Sequence, residues 1–254
     1  MSLTMGTGPF GHEPAGRFNV ELEPADIAYV EPSPRRVRAV RDGETVLDST
    51  RAKMLHRHAH LARYFFPRAD WRWELLDGLE PVLPPPGVPG LADHVTFAWA
   101  DMDAWFEEDD EIVGHAIDPY HRVDVRASSR HVRVSLGGEV LADSTRTRVI
   151  FETGLPPRWY FPPEDVVAAL EPSDLRSTCA YKGLASYRSY PAGGEAGENL
   201  AWFYPQPLEN AARVADYVAF FDERIDLDVD GERWPRPRTP WDAPGWWRTP
   251  PPAV

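Results

Sequence analysis

The residues best equipped for chemistry lie in one short stretch, "STCAYKGLASY" (177–187). It holds the single cysteine, Cys179, and one of only two lysines, Lys182. An ammonium near a thiol favours the thiolate, the nucleophilic form. Tyr181, Ser186 and Tyr187 add hydroxyls, and "NLAWFYP" soon brings Trp202 and Tyr204. On an extended chain Cys179 and Tyr181 point one way and Lys182 the other. A turn at "YKG" brings Lys182 round, with Gly183 supplying the backbone freedom. A hollow lined by rings and a few polar groups suits a small ligand. The candidate ligand set is therefore Tyr160, Arg176, Tyr181, Lys182, Tyr187, Trp202 and Tyr204, with Lys182 or Arg176 supplying charge. Cys179 activated by Lys182 is the enzymatic alternative, and a plain core of one small thiol and several rings is the third reading. No histidine follows His131, so no Cys-His-Asp triad is legible.

Other constellations carry less. "HRHAH" puts His56, His58 and His60 on one side of an extended segment. Residues four apart on a strand are about 13 Å from each other, so all three cannot share an ion with bonds of about 2 Å. An exposed strand end and loop is the expectation there. Asp226, Asp228, Asp230 and Gly231 spell the first half of a calcium loop, but Pro237 stands where the closing glutamate belongs. "EEDDE" (107–111) reads as a solvated loop. No glycine-rich phosphate loop, G-x-S-x-G or catalytic carboxylate spacing appears. Nor is there a Gly-Ser loop followed by paired aspartates for a triphosphate. No metal site and no cofactor are expected.

The elements that must hold these residues come in two copies. "DSTR" occurs at 48–51 and again at 143–146, and around it residues 35–70 overlay residues 130–165 without a gap, with 13 of 36 positions identical. This reads as a duplicated unit. Each copy opens on a hairpin, with Asp42-Gly43 or Gly137-Gly138 at the turn. Val132, Val134 and Leu136 alternate with polar residues. The Asp and Ser of "DSTR" are expected to bond local backbone amides as the chain turns. The ends of the copies correspond at an offset of 123 rather than 95, so copy one lacks the 28 residues that include the cysteine stretch. "WYFP", "YVAFF" and "RIDLDV" read as strands. "PEDVVAAL" and "PLENAARVA" read as short helices, the second with Leu208, Ala211, Ala212 and Ala215 on one face. The copies span 33–112 and 123–233. A tail, 234–254, has seven prolines and four tryptophans from Trp234 on and is expected to lie against its own chain.

Composition bounds the partners. A net charge of -13 repels phosphate backbones and anionic membranes, so neither nucleic acid nor membrane is expected. No apolar run reaches the roughly 18 residues of a membrane helix, and the N-terminus lacks the basic start and apolar core of a signal peptide. A cytoplasmic location follows; an interaction scaffold, in which copy one and the tail form a surface for self-association or a partner, is a further alternative.

"RHVRVSLGGEVLADSTR", "RWYFPPEDV", "LEPSDLRSTCAYKGLASY", "ENLAWFYPQPL" and "YVAFFDERIDLDVDGE" resemble the bacterial family of domain of unknown function 427. The likeness covers copy two throughout and copy one in a shortened form. Its signature is the "CAYKG" element, more usually spelled with proline where Ala180 stands. The resemblance implies a mainly β fold of the β-tent kind, two sheets meeting at an angle over a cleft. Fold relatives with zinc use two C-x-x-C pairs, which a lone Cys179 cannot supply. The family offers no catalytic residues to carry over. The expectation is thus two tandem β-tent-like units, the first shortened, with a small-molecule pocket in the second.

Overall fold

Short apolar runs broken by glycine and proline permit strands and leave no room for long helices. The chain folds accordingly into four open, antiparallel sheets joined by 3-10 turns. The computed structural model describes residues 4, 6–11, 13–21, 27–239, 241–242 and 245. It divides after His121 into two units.

The first unit contains β1 (Ala28–Pro32), β2 (Val37–Arg41), β3 (Glu44–Ser49), β4 (Lys53–Arg57), β5 (Arg63–Pro67), β6 (His94–Val95), β7 (Ala104–Glu107) and β8 (Asp110–Ile112). One sheet runs β1-β4-β5-β6 and the other β3-β2-β7-β8. Val37, Leu47, Phe66, Trp71 and Trp105 fill the core they share. Burying each such side chain contributes about 1.5–3 kcal/mol. β1 adds a strand ahead of residue 33, where the sequence places the start of the copy.

The second unit contains β9 (Val123–Ala127), β10 (Val132–Leu136), β11 (Glu139–Ser144), β12 (Arg148–Glu152), β13 (Arg158–Phe161), β14 (Glu171–Cys179), β15 (Gly183–Ser189), β16 (Ala201–Phe203), β17 (Val218–Phe220), β18 (Asp226–Val229) and β19 (Glu232–Trp234). A sheet of four, β11-β10-β18-β19, packs on a sheet of seven, β14-β15-β16-β17-β13-β12-β9. The core between them holds Val132, Leu141, Trp159, Phe161, Phe220 and Leu227. Strand alternation sends Trp159 and Phe161 into that core and Arg158 and Tyr160 to the opposite face of the seven-stranded sheet.

The hairpins of the two units share their irregularity. Asp42 and Gly43 have φ of 51° and 76°, and Gly137 and Gly138 have 60° and 90°, as a type I′ turn requires. In each, one extra residue bulges from the return strand, Val46 in one and Leu141 in the other, and both are fully buried. The bulge breaks the simple alternation read from Val132, Val134 and Leu136: Ser135 is buried and Leu136 only half-buried.

"DSTR" is a staple. The Ser49 hydroxyl donates to Asp70 at 2.6 Å and accepts from the amide of Arg51, while Arg51 pairs with the same Asp70. Ser144, Asp165 and Arg146 repeat the arrangement, with Ser144 again 2.6 Å from its aspartate. The aspartates of the motif differ from expectation. Asp48 and Asp143 accept from guanidinium groups across the hairpin, those of Arg36 and Arg133, rather than from backbone amides.

Both expected helices are 3-10, and the first is cut to a single turn. Pro163–Asp165 is one 3-10 turn, after which Val166 bridges to Ala142 and the amides of Val167 and Ala168 both reach the carbonyl of Leu141. Sheet contact has overridden a weak local preference. Glu209–Val214 is also 3-10, and its three-residue period buries Ala211 and Val214 while Leu208 stays exposed.

Candidate functional site

The insert forms part of the sheet. β14 and β15 are a long hairpin, and the turn between them holds Ala180, Tyr181 and Lys182, all buried. Gly183 has φ of +94°, a conformation that favours glycine, and the turn packs beneath residues 206–208. The amide of Leu208 donates to the carbonyl of Lys182 at 3.0 Å.

This turn brings Lys182 round to the outer face of the seven-stranded sheet, where its ammonium pairs with Glu152 at the end of β12. Burial works against the charge, but Glu152 first, then Cys179 and Tyr160, outweigh it and hold the Lys182 pKa above its ordinary value. On the same face Tyr160, Tyr187, Trp202 and Tyr204 gather with Phe221, Ala211 and Val214. Trp202 donates its indole N–H to the Tyr160 hydroxyl at 3.1 Å, and Tyr187 bonds Ser177 at 2.6 Å. Tyr187 stacks on Phe221 with ring planes 9° apart. Burial raises the pKa of Tyr160, Tyr187 and Tyr204, so all three phenols remain protonated near neutral pH.

A second buried ionic group adjoins these rings. Arg158 makes a two-pronged contact with Glu223 and reaches Asp222 at 3.1 Å, its guanidinium 5.8 Å from the centre of the Trp202 ring. Burial raises the Asp222 pKa, Arg158 partly offsets that and Glu223 adds to it, leaving the carboxyl at about 6. One lysine and one arginine thus face three carboxylates, and neither cation is in surplus. What the arrangement offers is a set of rings with protonated phenols and an indole N–H, edged by neutralised ion pairs.

Of the seven ligand residues named from sequence, Tyr160, Lys182, Tyr187, Trp202 and Tyr204 come together. Tyr181 is buried in the hairpin turn. Arg176 does not join them. It alternates with Leu175 and Ser177 on β14, is exposed, and spends its guanidinium on the carbonyls of Ser173 and Leu175. Cys179 is half-buried at the end of β14. The rings are covered rather than open: none of Tyr160, Tyr187, Trp202 and Tyr204 exceeds 8% exposure. A hollow of about 550 Å³ lies elsewhere in the second unit, lined by Pro163, Leu170, Arg188, Phe203 and Val218 among others. The first unit has one of about 20 Å³, room for a single water. None of the seven residues lines either.

Sequence reading missed Glu152, Arg158, Asp222 and Glu223. One signal was present: Arg158 precedes Tyr160 by two in a strand whose every residue is buried, so both must share a face. The carboxylates answering it are remote in sequence. The histidines also differ from expectation. His56 is fully buried on β4 with its Nε2 2.9 Å from Glu31, whereas His60 is exposed. The aspartates of the half calcium loop are taken by arginines, Asp226 by Arg233 and Arg236, Asp228 by Arg233, and Asp230 by Arg130.

The model of a family described as a domain of unknown function (DUF427) matches residues 29–81 and 124–231. The chain belongs to the DUF427 family. The second matched segment contains every DUF427 residue gathered on the outer face, from Glu152 to Glu223, and ends ahead of Thr239 and Trp241. No curated protein matches this DUF427 chain. No helix among its described residues is long and apolar enough to cross a membrane.

Proposed function

We propose that this is a bacterial, cytoplasmic, small-molecule-binding protein built from a duplicated β unit. Its binding place in the second copy is the covered outer face around Tyr160, Lys182, Tyr187, Trp202 and Tyr204. The observation that carries the reading is the convergence of two ion pairs and three phenols from separate strands on one buried face. Burying charges stabilises a fold less than burying apolar groups of the same size, so a face serving as core alone would be filled with hydrocarbon. The first unit supports this: at the positions 95 residues earlier, Leu55 and Phe65 pack with Leu91 in a small apolar cluster where the second unit has Ile150 and Tyr160. With its cations neutralised, the face suits a neutral planar compound with a hydrogen-bonding edge over an anion. A screen of uracil, nicotinamide and indole against the full chain, read by ligand-observed saturation transfer, tests it. At least one should bind, and Tyr187→Phe with Tyr204→Phe should weaken it tenfold. Binding that ignores both changes, or no binding at all, ends the proposal.

The tight turn that sets Lys182 against Cys179, the lysine amide 3.3 Å from the cysteine carbonyl, favours a second reading, a cysteine-dependent enzyme. Lys182 is already committed to Glu152, which weakens it as an activator. Iodoacetamide labelling against pH decides: a thiol that alkylates only after unfolding is no nucleophile.

A further inference from the structure

A segment with an unusual mode of attachment packs against the ring cluster of the outer face, beside the 3-10 turn that buries Ala211 and Val214 there. After β19 the chain continues through Pro235 and Pro237 to Thr239, whose hydroxyl donates to Glu223, the carboxylate already held by Arg158. Trp241 then packs, half-buried, against the ring cluster, its amide donating back to the Thr239 hydroxyl at 3.2 Å. Arg236 reaches Asp226 at 3.0 Å. Among the described residues, the only backbone–backbone hydrogen bond from 235–242 is internal, from the amide of Asp242 to the carbonyl of Thr239. The segment is therefore fastened by side chains alone, without sheet pairing, and such segments detach at low cost. Its prolines restrict it before docking, so little entropy is lost when it settles.

We infer that this segment is a strap over the candidate site, that Trp241 is its internal occupant, and that the external ligand displacing Trp241 is a neutral planar heteroaromatic compound. The inference rests on the binding reading above and adds what regulates the site and what shape it takes. The strap adds an indole from the same chain to a face that Ala211 and Val214 also close. It explains the second carboxylate on Arg158. Glu223 holds the arginine with both of its oxygens and the strap with one of them.

The test is a titration of indole into full-length wild type, Thr239→Val and Trp241→Ala, followed by saturation transfer and by the thermal midpoint. Indole should bind Trp241→Ala at least tenfold more tightly than wild type. Thr239→Val, which keeps the ring but loosens its tether, should fall between them. Equal affinity in all three overturns the strap. So does a gain confined to Trp241→Ala, since Trp241 would then be an ordinary core residue whose loss leaves a hole. A Trp202→Leu variant separates this failure from that of the binding reading. If all three proteins bind indole equally and Trp202→Leu loses it, only the strap falls; if Trp202→Leu binds as well as the rest, both fall.

Discussion

Replacing Asp222 with asparagine removes one of two carboxylates from a buried arginine while keeping the side chain's shape and its acceptor toward Arg158, 3.1 Å away. The folded carboxyl sits at about 6 against an ordinary 3.8. At about 1.4 kcal/mol per pH step, that difference makes the ionised form about 3 kcal/mol less welcome in the folded chain than in the unfolded one. The sign follows from proton counting. Between about pH 4 and pH 6 the folded state holds the proton more tightly, so stability falls as pH rises through that window, and above it the loss is constant. The amide of the variant has no such proton to lose. Urea unfolding of both proteins, followed by tryptophan fluorescence between about pH 4 and pH 8, isolates the effect, since every other titration cancels in the difference. Asp222→Asn should gain on wild type by about 3 kcal/mol across the window, on top of any pH-independent offset. A flat difference, or one that moves against the variant as pH rises, would refute the assignment of a strained acid here. Arg158 would then be stabilising two full negative charges.

Further changes probe other parts of the molecule. Glu152→Ala leaves Lys182 buried without a counter-charge and should cost about 3–5 kcal/mol in urea unfolding, whereas Glu152→Leu with Lys182→Met together should cost less than either alone; a double variant as damaged as the sum would contradict the pairing. Ser49→Ala and Ser144→Ala each remove a hydrogen bond to a carboxylate and should each lower stability by about 1.5–3 kcal/mol, with no effect on ligand binding; unequal losses would break the equivalence of the two staples. Gly197→Ala drives a Cβ into the carbonyl oxygen of Tyr190, far inside contact distance, and should cost more than about 3 kcal/mol, readable as lost soluble expression. Gly16→Ala, with nothing within 4 Å, is its neutral control.

Much of the frame was legible because local chemistry dictated it. Positive-φ turn pairs fixed the hairpins, and the shared "DSTR" announced a motif that indeed performs the same stapling in both units. "RIDLDV" alternates as read, with Leu227 and Val229 buried between paired aspartates. What failed depended on distant partners. Residues 163–170 have helical spelling, but the bridge from Val166 to Ala142 decides their conformation. Of the residues on the outer face, Lys182 and the rings were picked out by residue type, whereas Glu152, Asp222 and Glu223 have significance only once folding sets them against Lys182 and Arg158. Arg176 misled because a one-dimensional stretch does not disclose which side of β14 each residue takes.

β13 has a consequence of its own. Its four residues serve two clients, Trp159 and Phe161 on one side and Arg158 and Tyr160 on the other. A one-residue slip in the pairing of β13 with β12 and β17 would swap these sides, driving a guanidinium into the sandwich interior and an indole toward Glu223. Point substitutions can retune the outer face gradually, but a register slip of β13 would disrupt both of its faces in the same stroke. Length differences among this protein's relatives should therefore be taken up outside β12 and β13, with the pairing of Arg148 to Tyr160 kept.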